Sequence, residues 1–339
     1  MSSVHGDGHP PGPPYPPGRA VLGGVPVPSI DDPICAVVIL LFAASAVLNM
    51  TILQLNFRRG HKFILSGLLF GFSTARITAN ALRIAWASHP SNVRLVIAAQ
   101  IFTNAGVIAL FAANLVLAQR VLRAYHPDIG WRAPATLALR TLAASLLAGL
   151  VALVVVVVMA FYTLDRAVLA RIRDVQLAVS AWFAFVAFVP CLVVPFCLAR
   201  PRRAPAGAID KFGQGSMRHK LLLLVGTSAL LTLGACWRLA AVIVVRPAAR
   251  PAPVHSKPAL YCVDFAIELV CVYAYALSRF DRRFHIPDGS SGPGHYVNGV
   301  PGAAEGGLEA MHPEKQQSDS ERSTDFSMNN MLVQRTDSK

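Results

Sequence analysis

Charge is scarce in this chain, and the side chains that usually carry membrane catalysis are missing from its apolar regions. Only 14% of the 339 residues are Asp, Glu, Lys or Arg, against 54% hydrophobic, and mean hydropathy is +0.49. A soluble domain of this length is more polar. None of the ten histidines falls inside a long apolar run, which excludes paired haem ligands and a histidine-based zinc site within the membrane. The last apolar run contains no lysine, Lys257 preceding it, so a retinal Schiff base has no attachment point. No Gly-rich phosphate loop and no serine nucleophile elbow is present. No catalytic motif is found, so the chain is not expected to be an enzyme, and no cofactor is implied. The loops between the apolar runs hold no cysteine. All six (Cys35, Cys191, Cys197, Cys236, Cys262 and Cys271) lie inside the runs, where small apolar packing is their expected role. A cleavable signal peptide is not expected either, because the first 33 residues are Pro/Gly-rich (HPPGPPYPPG) without a cationic start or an apolar core. The one glycosylation triplet, Asn49-Met50-Thr51, falls within the first run and should be unused.

What the chain does have is length of apolar sequence. Seven runs cover residues 34–56, 62–86, 95–118, 137–162, 175–198, 220–245 and 259–278, each about the ~20 residues needed to cross a hydrocarbon layer ~30 Å thick. The fold class expected is all-α: a polytopic bundle of seven transmembrane helices over residues 34–283. A disordered Pro/Gly-rich tail (1–33) should precede it and a disordered polar tail (284–339) should follow. Sixteen Lys and Arg fall in the loops that would share one side with the start of the carboxyl-terminal tail, against eight on the other. By the positive-inside rule the amino terminus is then outside and the carboxyl terminus in the cytosol. The same distribution turns the net charge of +13 away from a nucleic-acid reading. The expected surroundings are a lipid bilayer, with a plasma membrane favoured and an internal membrane open. A cytosolic partner could meet the basic 199–220 loop or the tail, where Ser318, Ser320, Ser323 and Thr324 are candidate phosphorylation sites.

Three of the runs hide charge. The second carries Arg76 and Arg83, the sixth Arg238, and the seventh Asp264 and Glu268. Ionisable groups at such depth are expensive and are kept for a structural or functional reason. They lie in helical register with other polar residues: Ser73, Arg76, Asn80 and Arg83 on the second run, and Gln100, Asn104 and Asn114 on the third. On the seventh they are Tyr261, Asp264, Glu268, Cys271 and Tyr275. These stripes should face one another inside the bundle. At a rise of ~1.5 Å per residue, Arg76 stands about 21 Å from Lys62 and Glu268 about 14 Å from Ala259, so both sit near mid-membrane. Arg76 with Glu268 is the expected pair, and Asp264 is left to Arg83 or Arg238. Arg83 could instead snorkel to the head groups. The candidate ligand or ion network therefore comprises Arg76, Asn80, Arg83, Gln100, Asn104, Arg238, Asp264 and Glu268, with no metal. Pro190 and Pro195 should kink the fifth span. The fourth, without a polar stripe, should face lipid. The segment SRFDRRFHIPDG should start as a short amphipathic helix, with Phe280 and Phe284 in lipid.

The strings GHKFILSGLLFGFSTARITANALRIAWA, IFTNAGVIALFAANLVLAQRVLRAYHPDIGW and YCVDFAIELVCVYAYALSRFDRRFHIPDGS resemble a family of filamentous-fungal multi-span proteins of unknown function. The likeness runs from about Phe57 to Pro293 and is weak in spans four to six. It implies a fungal seven-span integral membrane protein and no particular activity. Three functions stay open. A receptor-like sensor fits the outside-in topology, the basic third inner loop and the serine-rich tail, and is the favoured reading. A secondary transporter or proton-coupled carrier fits the mid-membrane carboxylates, though no duplicated half is visible. A scaffold fits if the charges only hold the bundle together.

Overall fold

The computed structural model describes residues 12–201 and 209–298. These residues are mainly helical and contain no β-strand. Residues up to Ile286 form one compact unit and a second begins at Pro287, where a single helical turn, α11 (His295–Asn298), is described. In the first unit the long helices are α1 (Pro28–Arg58), α2 (Leu65–Ser88), α3 (Val93–Ala105) and α4 (Ile108–Tyr125). A single turn, α5 (Pro127–Gly130), leads to α6 (Ala133–Ala160), α7 (Arg166–Ala199) and α8 (Met217–Ile243). A π-helical segment (Ala259–Ala266) continues directly into α9 (Ile267–Leu277), and the short α10 (Phe280–Arg283) follows. We call the end of the bundle reached by residues 12–27 the upper end.

Six helices are long and apolar enough to cross a membrane, with α3 and α4 counted as one and the π-helical segment joined to α9. Their outward faces are apolar: Leu40, Leu147, Leu222 and Leu277 are more than 60% exposed. In water such a surface would be an aggregation hazard, whereas in lipid it is the ordinary lining. The chain is an integral membrane protein. α2 falls outside the six, yet its 24 residues pack along the length of α1. Its polar residues face inward, with Ser73, Arg76, Asn80 and Arg83 all buried. On α1 the buried face runs Cys35, Val38, Phe42, Ser45, Asn49, Ile52, Asn56, a stripe of three- and four-residue steps. Phe42 meets Phe72 of α2 edge-on at 5.7 Å, a favourable aromatic arrangement.

Several boundaries differ from the sequence expectation. α1 begins at Pro28, not at residue 34, because Pro at the first position and Asp31 in the first turn are helix-start features. Residues 12–27, which composition assigns to a disordered tail, lie against the loops at the upper end. Tyr15 N–H donates to Phe161 O at 2.7 Å and Ala20 N–H to Arg246 O at 2.9 Å. α7 continues through both Pro190 and Pro195 as one helix to Ala199. The third span is interrupted at Gly106-Val107. α6 buries only Leu146, Leu153, Val156 and Val157, as suits a helix largely in lipid.

Below α9 the chain turns. Arg279 takes a left-handed conformation (φ 51°), which redirects α10 under the bundle instead of letting the helix run on. Phe280 and Phe284 are consequently fully buried, with Phe280 against Phe63 and Tyr275 and Phe284 against Phe212. The expectation that these rings lie in lipid is wrong, because the turn at Arg279 makes them core. Residues 202–208 of the basic loop and 299–339 of the tail, including the candidate phosphorylation sites, lie outside the described residues.

Candidate functional site

Polar side chains stack in three levels through the middle of the bundle. At the upper level Arg83 is buried and does not snorkel. Its Nε and Nη2 donate to Asp31 Oδ1 at 3.0 and 2.9 Å, and Nη2 also donates to Gly23 O at 2.7 Å. Asp31 collects further donors from Tyr261 OH at 2.6 Å, Lys257 Nζ at 2.5 Å and Val27 N–H at 2.7 Å. The carboxylate is fully buried, and these charge-assisted donors offset the cost of removing it from water. Gly23 (φ 77°) has no room for a side chain: a Cβ would lie 2.4 Å from Leu260 Cδ2.

At the middle level Arg76 and Glu268 form a two-pronged pair, Nε to Oε2 and Nη2 to Oε1, both at 2.5 Å. The third nitrogen, Nη1, donates to Thr103 O at 2.6 Å and Phe102 O at 3.2 Å. Those carbonyls belong to the last turn of α3, just before the interruption. Carbonyls at a helix end lack next-turn donors and carry the negative end of the dipole, so a guanidinium suits them. Gly106 permits the approach, since a Cβ there would stand 3.0 Å from Arg76 Cζ. Arg238 completes the level. It reaches Asp264 Oδ1 through Nε at 2.7 Å and Glu268 Oε1 through Nη2 at 2.9 Å. Two guanidiniums thus face two carboxylates and the charges balance. Asp264 sits in the π-helical segment and Glu268 one residue into α9. Arg238 on α8 therefore spans the junction between the two helix types; π turns recur at functional sites.

The lower level is uncharged. Tyr275 OH donates to Asn114 Oδ1 and lies 2.7 Å from Thr227 Oγ1, while Asn114 Nδ2 donates to Ser228 Oγ at 2.8 Å.

The sequence candidates divide accordingly. Arg76, Arg238, Asp264 and Glu268 form one cluster, and Asp264 belongs to Arg238, not to Arg83. Arg83 belongs to a separate cluster with Asp31, Lys257 and Tyr261. Asn80 is buried but bonds only the backbone of its own helix, Nδ2 to Arg76 O at 2.9 Å. Asn104 likewise bonds Gln100 O at 2.8 Å. Gln100 and Asn104 join neither ion cluster. They line a cavity of 310 Å³ between α3, α4, α6, α7 and α8, to which residues 15–22 at the upper end also contribute. Arg238 is part of that lining, so one side chain belongs both to the ion cluster and to the cavity. Asp31 and Lys257 were missed as site residues. The helix-start pattern around Pro28 was the available signal for Asp31, and nothing in the loop sequence singles out Lys257.

Residues 208–285 match a family model described as a protein of unknown function (DUF3112). The matched segment holds Arg238, Asp264, Glu268 and the lower-level Thr227, Ser228 and Tyr275. No curated protein matches the chain, and no solved structure matches it. Among the described residues no group of His, Cys, Asp and Glu could hold a metal ion.

Proposed function

We propose that this protein is a receptor-like sensor with seven membrane-crossing helices, its upper end outside the cell and its carboxyl terminus in the cytosol. The seventh crossing is α2. At ~1.5 Å per residue its 24 residues reach ~36 Å, enough to span. Its low hydropathy reflects arginines whose charge is cancelled by Glu268 and Asp31 in the interior. The plasma membrane is the favoured site, because the cavity would then open to the medium. The observation that carries the function is the position of Arg238, which lines the cavity and binds Asp264 and Glu268 at once. A molecule in the cavity can perturb that guanidinium, and through Glu268 the change reaches Arg76, the interrupted third span and α9. α9 leads directly to α10 and the cytosolic face.

Interruption at Gly106 and the π-helical segment also fit a carrier, since transporters build midplane sites from discontinuous helices. One experiment separates the two readings. Cells with and without the gene are exposed to a panel of external small molecules, and transcription and intracellular accumulation are both followed. The sensor reading expects a gene-dependent transcriptional response with no gene-dependent accumulation. Gene-dependent accumulation of a compound would overturn it in favour of a carrier.

A further inference from the structure

One wall of the cavity differs from the others. Residues 15–22 all contribute to the lining, yet they belong to no helix or strand, and Arg19 forms an isolated antiparallel bridge with Pro247. Backbone hydrogen bonds fasten this segment at two places. Tyr15 N–H donates to Phe161 O, at the end of α6. Just beyond α8, Ala20 N–H donates to Arg246 O and Ala248 N–H to Gly18 O at 3.3 Å. Phe161 and Arg246 themselves line the cavity, so the segment runs from the end of one wall helix to the end of another. Its fastening is light. Among the described residues no ion pair or side-chain hydrogen bond holds residues 15–22. Pro16, Gly18 and Arg19 are exposed, and a Cβ at Gly18 would meet no atom within 4 Å. Segments held by a few exposed backbone bonds lie at the low-stability end of a native structure and open locally.

The chain that follows is built differently. Gly23 and Gly24 both take left-handed conformations, with φ 77° and 58°, where glycine alone is unstrained. Gly23 O accepts from Arg83, whose guanidinium is held in turn by Asp31, and Gly23 lies against Leu260. A pinned glycine pair beside a lightly fastened segment has the form of a hinge and a flap: a few residues absorb the change in φ and ψ while the segment moves.

We propose that residues 12–22 are a flap that swings about Gly23-Gly24 and gates entry to the cavity from the upper end. Opening breaks the three backbone hydrogen bonds at an end of the bundle where water replaces them. The Arg83–Asp31 pair stays closed throughout, so the gate moves without unpairing a buried charge. The gate goes beyond the sensor reading and would serve a carrier equally. Its failure leaves the choice between those two to the cellular comparison.

A disulfide at the bridge tests the gate by holding the flap shut. The hydrogen bonds come from the neighbours of Arg19 and Pro247, not from the pair itself. Antiparallel pairs of that kind bring their Cα atoms to about 4.5 Å, within reach of a disulfide. The full-length protein carries Arg19→Cys and Pro247→Cys, with Ser180→Cys, a lining position on α7, as the reporter. In phosphatidylcholine nanodiscs, alkylation of residue 180 by iodoacetate is timed by mass spectrometry of its peptide, with and without prior reduction. The disulfide should form under mild oxidation, and residue 180 should then react about tenfold or more slowly than in the reduced protein, because local opening is forbidden. Ala20→Pro with Ala248→Pro removes two of the three donors and, added to Ser180→Cys alone, should speed the reaction. Equal rates before and after reduction overturn the gate. So does a residue 180 that never reacts in the reduced protein, or a proline variant, folded by size-exclusion, that reacts no faster than its parent. Failure of the disulfide to form in folded protein overturns the closed geometry on which the gate rests.

Discussion

Glu268 receives more charge than any other side chain in the middle of the bundle: both prongs of Arg76 and one nitrogen of Arg238 end on its carboxylate. Glu268→Gln removes one negative charge from a balanced set of four and leaves a guanidinium uncompensated in a dry interior. By comparison with other buried pairs the cost is roughly 3–5 kcal/mol. The single variant should therefore yield little folded protein, as read by size-exclusion of the detergent-solubilised chain. Adding Arg76→Gln to the same chain restores neutrality, because Arg238 keeps Asp264, and should recover much of the folded fraction. At this scale the sequence was legible where depth decided the partner. Arg76 and Glu268 stand at the same height on a helical ruler, and they meet. It was not legible where a partner came from outside the apolar runs. Asp31 sits in a Pro/Gly-rich stretch whose composition suggested a tail, yet it is the fully buried counter-ion of Arg83.

Among the helices, the informative features are the interruptions. The third span breaks at Gly106-Val107, which frees carbonyls for Arg76, and the last span starts as a π-helix, which places Asp264 and Glu268 around Arg238. Neither is visible as a change in hydrophobic period, since both keep the polar residues on one face. Periodicity identified the face carrying Gln100 and Asn104 but could not show that it borders a cavity and not the ion pairs. A straight continuation of the last helix would have left Phe280 and Phe284 in lipid. The left-handed Arg279 turns them into the core, where Phe→small substitutions cost about 3–5 kcal/mol. Phe280→Ser should thus lower the melting temperature and the folded yield. A variant with unchanged stability and only a loosened carboxyl-terminal segment would show that α10 lies on the membrane surface instead.

Across the whole molecule the lipid-facing surface is apolar, and by sequence sixteen Lys and Arg fall in or beside the loops expected on one side against eight on the other. The proposed crossing by α2 would make the count odd and put the two termini on opposite sides. Tags at both ends, probed by protease on intact cells, should show the amino-terminal tag cleaved and the carboxyl-terminal tag protected. Cleavage of both tags, or of the carboxyl-terminal one alone, would reverse or abandon that arrangement. The central claim is that an occupant of the cavity is read through Arg238, and filling the cavity tests it most directly. Ala235 lines the space and carries no charge, so Ala235→Phe obstructs entry without removing an ion-pair partner. The measurement is the transcript profile of gene-deleted cells carrying this variant, alongside its abundance in the membrane. With abundance near that of the wild type, the account predicts the profile of the deletion. A wild-type profile from a protein whose cavity is filled would contradict it.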